Sequence, residues 1–171
     1  MATIVAHLGE AAAELWAEGV VRNFARTPQS NDTGQIRAVA SGECQIAVVN
    51  TYYPARLAAS DDPADLAVAA AVGIVFPGQQ GNGTHVNISG AGVVSTSPNR
   101  DNAIRFLEYL TSDRAQSLFA DGNNEYPAVP SVGASSKVVA LGEFKEDGLN
   151  AAELGVHQAT AIMVFDRAGW Q

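Results

Sequence analysis

The sequence predicts an α/β fold on three observations. Short, continuous apolar runs of the kind that suit buried parallel strands alternate with segments of helical periodicity, Gly, Pro and Asn punctuate the junctions, and neither a repeat nor a low-complexity tract interrupts the pattern. At 171 residues, 47% apolar and 16% charged, the chain is long enough to bury one sizeable core. Only three strands are predicted, which is too few for a comfortable sheet, so part of the fold is expected to be missing.

The elements follow in order. Ile4, Val5, Leu8, Ala12, Leu15, Trp16, Val20 and Phe24 recur at three- and four-residue intervals with Glu10, Glu14, Glu18 and Arg22 between them, which is a helical pattern, broken at Gly9. A polar loop over residues 27–31 leads to Asp32 and Thr33, expected N-caps of a short helix that runs through Ile36 and Val39 and stops at Gly42. Residues 45–49 form the first apolar run, Asn50-Thr51-Tyr52-Tyr53 follows it directly, and helix is expected to resume at Pro54. Strand-to-helix junctions of this kind are where open α/β sheets place ligands.

Asp61-Asp62-Pro63 reads as a solvated turn before an Ala-rich helix, and residues 72–76 read as a second strand ending at Pro77. Gly78 to Gly83 is a surface turn; it is not a P-loop, because no Gly-Lys-Ser/Thr follows it. The third strand is expected over residues 84–94, interrupted by Gly90 and Gly92. Asn99 and Ser112 are expected to cap two further helices, residues 123–127 form a loop, and Asn150 is expected to cap one last helix over residues 149–165.

The formal charge of −8 and pI of about 4.7 leave no basic face for phosphate backbones, so nucleic acid is excluded as a partner. No apolar run reaches the roughly 18 residues of a membrane span, and the N-terminus carries no export-signal pattern. The single cysteine, Cys44, reads as a half-buried packing residue. His7, His85 and His157 read as surface or packing histidines, and Glu143, Glu146 and Asp147 as a charged surface. No nucleophile, base and orienting acid form a catalytic set, so no enzyme is expected.

Tyr52 and Tyr53 carry the chemistry that remains. Phenol is neutral at pH 7 with a pKa of about 10, unless a strong Lewis acid displaces its proton, and phenolate is a hard anionic donor suited to a hard cation. Consecutive side chains of an extended segment point to opposite faces, so both can reach one ion only where the backbone turns between them. On spacing alone the pair reads more simply as an ordinary packed aromatic pair than as a ligand pair.

The run Asn50-Thr51-Tyr52-Tyr53, preceded by residues 38–43 and the apolar run, resembles the paired-tyrosine motif of the periplasmic ferric-iron binding proteins of ABC transporters. Residues 83–90, 102–108, 122–127 and 164–170 resemble segments of that family in the same order, so the resemblance covers essentially the whole chain.

The resemblance implies the C-terminal half of a two-lobe, type II-like periplasmic binding protein. Residues 1–83 would belong to the second lobe, 84–133 would return to the first lobe, and 134–171 would pack back on the second. It further implies ferric iron, Fe(III), as the solute, Tyr52 and Tyr53 as two of its ligands, an ABC permease as partner, a periplasmic location and a monomeric state in the family. The remaining ligands would lie upstream of the matched region. Asn50 sits where a synergistic anion would be contacted, and the carboxylate of Asp32 would repel such an anion, which favours a branch without an obligatory one. The alternatives are another solute on the same scaffold, or a truncated, self-associating remnant that binds nothing.

Overall fold

Helices form wherever the sequence supplies both periodicity and an end signal. The computed structural model describes residues 1–29 and 31–170, and ten helices run through them. Ser30, within the loop expected over residues 27–31, lies outside the described residues. The chain gathers into two units, Met1–Ser30 with Phe76–Ile88 and Phe144–Gln171, and Asn31–Val75 with Ser89–Glu143.

In the first unit Gly9, at a φ of 79° that its lack of a Cβ permits, separates α1 (Ala2–Leu8) from α2 (Glu10–Arg22). The last helix predicted, over residues 149–165, divides at His157. Asn150 caps a short α9 (Ala151–Val156) by accepting from the Ala152 N–H, and α10 (Gln158–Ala168) follows. Val5, Ala13, Ala17 and Val164 are buried together where α1, α2 and α10 meet. The small alanines of α2 let α10 approach closely. Trp170 then gathers the rings of Trp16, Phe24 and Phe165 at centroid distances of 6.2, 5.2 and 4.9 Å, and Arg167 bridges Glu10 and Glu14 at 2.7 Å each.

The second unit holds α3 (Asp32–Ala40), α4 (Tyr52–Ala58), α5 (Pro63–Ala71), α6 (Arg100–Leu110), α7 (Asp113–Asn123) and α8 (Ser136–Val139). The N-cap of α3 is Asn31 rather than Asp32 or Thr33; its side chain accepts from the Gly34 N–H at 3.1 Å. Asp62 caps α5 through the Ala64 N–H, with Pro63 at the first helical position, and Ser112 caps α7 through the Ala115 N–H. Asn99 occupies the N-cap position of α6 without a capping hydrogen bond from its side chain. Ile36, Ala38, Ala55, Leu57 and Val138 are buried in a unit where α4 packs against α3, α5 and α8. The α8 turn was not anticipated.

The sheet is where the structure departs from expectation. Among the described residues the three predicted strands form no ladder, and β pairing is reduced to one isolated parallel bridge, Thr84 with Glu146. Its hydrogen bonds run from the Thr84 N–H to Lys145 and from the Asp147 N–H to Thr84, both at 2.8 Å. Gly83 permits this approach, since a Cβ there would lie 2.5 Å from the Glu146 carbonyl oxygen. Ile46 and Val48 are 83% and 88% exposed, while Ala47 and Val49 are half-buried, so residues 45–49 keep the alternation of a strand without a neighbour. The physical reason is that a helix satisfies its own backbone, whereas a strand needs a second backbone in register.

Candidate metal centre

The junction before α4 is built by local hydrogen bonds. Asp32, released from capping by Asn31, accepts the Asn50 N–H on Oδ1 at 3.0 Å, and the Asn50 carbonyl accepts the Tyr53 N–H at 3.2 Å. The helix therefore starts at Tyr52, two residues before the expected Pro54. Pro54 is tolerated because N–H groups of the first turn have no intrahelical acceptor.

Starting the helix early sets the geometry of the pair. Adjacent helical side chains diverge by about 100° rather than the half-turn of a strand. Tyr52 and Tyr53, both half-buried, consequently lie side by side, with ring centroids 4.5 Å apart and planes tilted by 40°. The Arg56 guanidinium, one turn on, sits over the Tyr53 ring at 5.2 Å from its centroid.

Burial, first, and then a hydrogen bond to Tyr53 and the negative charges of Asp32 and Glu125, push the Tyr52 phenol above its ordinary pKa. Each of the electrostatic causes disfavours an isolated phenolate for the same reason that it would favour a cation: the surroundings are rich in negative charge and oxygen lone pairs. Among the described residues no three His, Cys, Asp or Glu side chains are grouped to hold a metal ion. Asn50 and Asp32 are brought together, but the Asn50 N–H is engaged by the carboxylate. Arg56 and Glu125 were not singled out from the sequence. The three-residue spacing of Tyr53 and Arg56 could have pointed to the first; no local signal marks the second.

Asp147 is not part of an open charged surface. Its side chain is only 6% exposed and pairs with His7 at 2.8 Å, while His85 hydrogen bonds to the buried Thr3 hydroxyl at 3.0 Å. Cys44 is half-buried, as expected. No helix among the described residues is long and apolar enough to cross a membrane.

The model of the family described as bacterial extracellular solute-binding protein matches residues 3–146. The chain belongs to that family. This solute-binding protein is 48% identical, over its whole length and 48% of the other's, to iron uptake protein A1 of Synechocystis sp. (strain ATCC 27184 / PCC 6803 / Kazusa). It superposes on a Trichodesmium protein solved in complex with iron and citrate ligands with a TM-score of 0.93 and 52% identity, over 99% of this chain and 54% of the other. The ferric binding protein from Campylobacter jejuni superposes at 0.95 with 38% identity, again over 99% of this chain and 54% of that one. The solute-binding protein thus spans about half the length of the curated relatives it matches. Its backbone is that of about half of each of these two solved structures, which supports the fold expectation at that level, although the described residues are mostly helical.

Proposed function

We propose that this solute-binding protein holds ferric iron through the phenolates of Tyr52 and Tyr53 and delivers it, from the periplasm, to the permease of an ABC importer. The observation that carries the reading is the placement of both rings 4.5 Å apart on the first turn of α4. The names of its relatives, an iron uptake protein and a ferric binding protein, support iron as the solute. Its role is binding rather than catalysis.

Iron is cargo. Its charge replaces the phenol protons, and Asp32 and Glu125 add negative potential around it. With the Asn50 N–H engaged by Asp32, that amide is not offered to an anion, which supports binding without an obligatory synergistic anion. Residues 1–83 and 134–171 belong, in this reading, to the second lobe of the complete two-lobe protein, and residues 84–133 to the first. The remaining ligands come from outside the matched half.

The test is spectroscopic. Adding ferric iron to the chain is expected to produce a visible phenolate-to-iron charge-transfer band that weakens in Tyr52→Phe or Tyr53→Phe and vanishes in the double variant. A colourless complex, or a band indifferent to both changes, would overturn the ligand assignment. With only part of the ligand set, the 171-residue chain is expected to bind iron weakly. A second reading, self-association without iron binding, draws support from the exposure of Ile46, Val48 and Val75, the last at 85%.

A further inference from the structure

Two stretches of the second unit, residues 45–49 and 72–75, have the composition of strands and no strand neighbour. Val48 and Val75 are 88% and 85% exposed, and among the described residues no backbone hydrogen bond is made to or from residues 45–49 or 73–75. Proteins guard a permanent sheet edge with Lys, Pro or an inward charge. Neither stretch holds a charged residue or a proline, and from Leu66 to Asn99 the chain has no Asp, Glu, Lys or Arg at all, although 16% of the whole chain is charged. Edges left unguarded in this way are edges that the working protein covers.

The helix between the two stretches gives the same indication independently. In α5, Asp65 is the only charged residue and it is engaged by Arg37 and Ser60; the rest is Pro, Ala, Leu and Val, yet none of its nine residues is buried. A helix apolar on nearly every side belongs inside a larger body.

The chemistry of the bare surface selects the class of occupant. A row of backbone N–H and C=O groups at strand spacing is matched by another backbone, not by a lipid or a small solute. Apolar side chains on both faces of the stretches suit strands enclosed between layers, so the occupant must bring both strands and cover. Its size is indicated by the relatives: the chain matches 48% of iron uptake protein A1 and 54% of the Campylobacter ferric binding protein, and about as many residues again lie outside each match. A second copy is a poorer fit, because pairing about a twofold axis covers one edge of a stretch and leaves the other bare.

We propose that residues 45–49 and 72–75, with the exposed face of α5, form a docking surface that binds, without a covalent link, a polypeptide equivalent to the half of iron uptake protein A1 outside the match, by strand addition. The proposal rests on the reading of this chain as half of a two-lobe protein, and it needs neither iron nor the phenols.

The test dilutes that half of iron uptake protein A1 out of urea into the folded, iron-free 171-residue chain at micromolar concentration. Light scattering is expected to show a one-to-one complex, and hydrogen exchange to show amides 46–49 and 73–75 slowed by at least about a hundredfold on binding. Val48→Pro, which removes a donor at an exposed position outside the helices, is expected to weaken the complex roughly tenfold or more with helical circular dichroism unchanged. Val156→Lys, an equally exposed apolar position in the first unit, should leave it unaltered. The variant carrying both Tyr52→Phe and Tyr53→Phe should still form the complex, so a failed iron assignment and a failed docking surface give different results. No complex, association only between copies of this chain, fast exchange at 46–49 and 73–75 within the complex, or a complex indifferent to Val48→Pro would each overturn the proposal.

Discussion

The Asp32 carboxylate accepts the backbone N–H of Asn50 at 3.0 Å, tying the start of α3 to the residue just before the two tyrosines. The same carboxylate contributes to the raised pKa of Tyr52. Asp32 therefore acts twice, by a hydrogen bond that shapes the junction and by a charge felt at the phenol. Asp32→Asn keeps an acceptor and removes the charge; Asp32→Ala removes both. The asparagine variant is expected to lower the Tyr52 pKa, measured by alkaline ultraviolet titration, and to weaken iron binding by roughly tenfold at most. The alanine variant should in addition lose about 1 kcal/mol of stability in urea unfolding.

Iron binding by two phenols must release their protons, because a phenol ordinarily titrates at about 10 and burial raises the Tyr52 phenol further. In weakly buffered solution, after subtraction of iron hydrolysis in a protein-free blank, two protons per bound iron are expected from the native pair. One is expected from Tyr53→Phe. Equal release from both proteins would show that Tyr53 stays protonated.

Acid should weaken the first unit in two stages. Burial of its ring, with the nearby N-terminal amine, holds His85 below the ordinary 6.5, so the unfolded chain takes up the proton first. Its contribution is present above that value and is lost as pH falls below it. Asp147 is held low although burial opposes its ionisation, because His7 and the Leu149 N–H hydrogen bond to it and the His7 and His85 charges add to them. Its contribution is present above about 3.8, the unfolded value, and disappears as pH falls through the lower folded one. Urea midpoints measured from pH 7 downwards should fall below pH 6.5 in the native chain and flatten in His85→Gln. Asp147→Asn should remove the later loss.

Ile46 and Val48 present one bare face of a strand-like segment. If that face drives self-association, Ile46→Lys with Val48→Glu should shift the chain towards monomer in light scattering without loss of helical circular dichroism, since neither residue lies in a helix. An unchanged mass would exclude this segment as the contact.

Much of the fold could be read from the sequence because helices are local. The break at Gly9, the caps at Ser112 and Asn150 and the turn at Gly78 to Gly83 all depend on residues within a few positions of one another. The choice of Asn31 over Asp32 as a cap was not readable, because it turns on Asn50, distant in sequence, which recruits the Asp32 carboxylate. The strands failed for a related reason: an apolar run states that a segment can be a strand, but only a neighbouring backbone makes it one.

The sequence by itself determined the tyrosine pair, the family resemblance, the acidic charge and most of the helices, all properties of composition or of short-range order. Tertiary structure decided how those pieces are used. It started α4 at Tyr52 and so set the two rings side by side, brought Asp32 and Glu125 to act on the phenol, buried Asp147 against His7, and gathered Arg37, Arg56, Lys137 and Asn124 around one cavity. Those relationships depend on distances between residues far apart along the chain, and no local pattern encodes a distance of that kind.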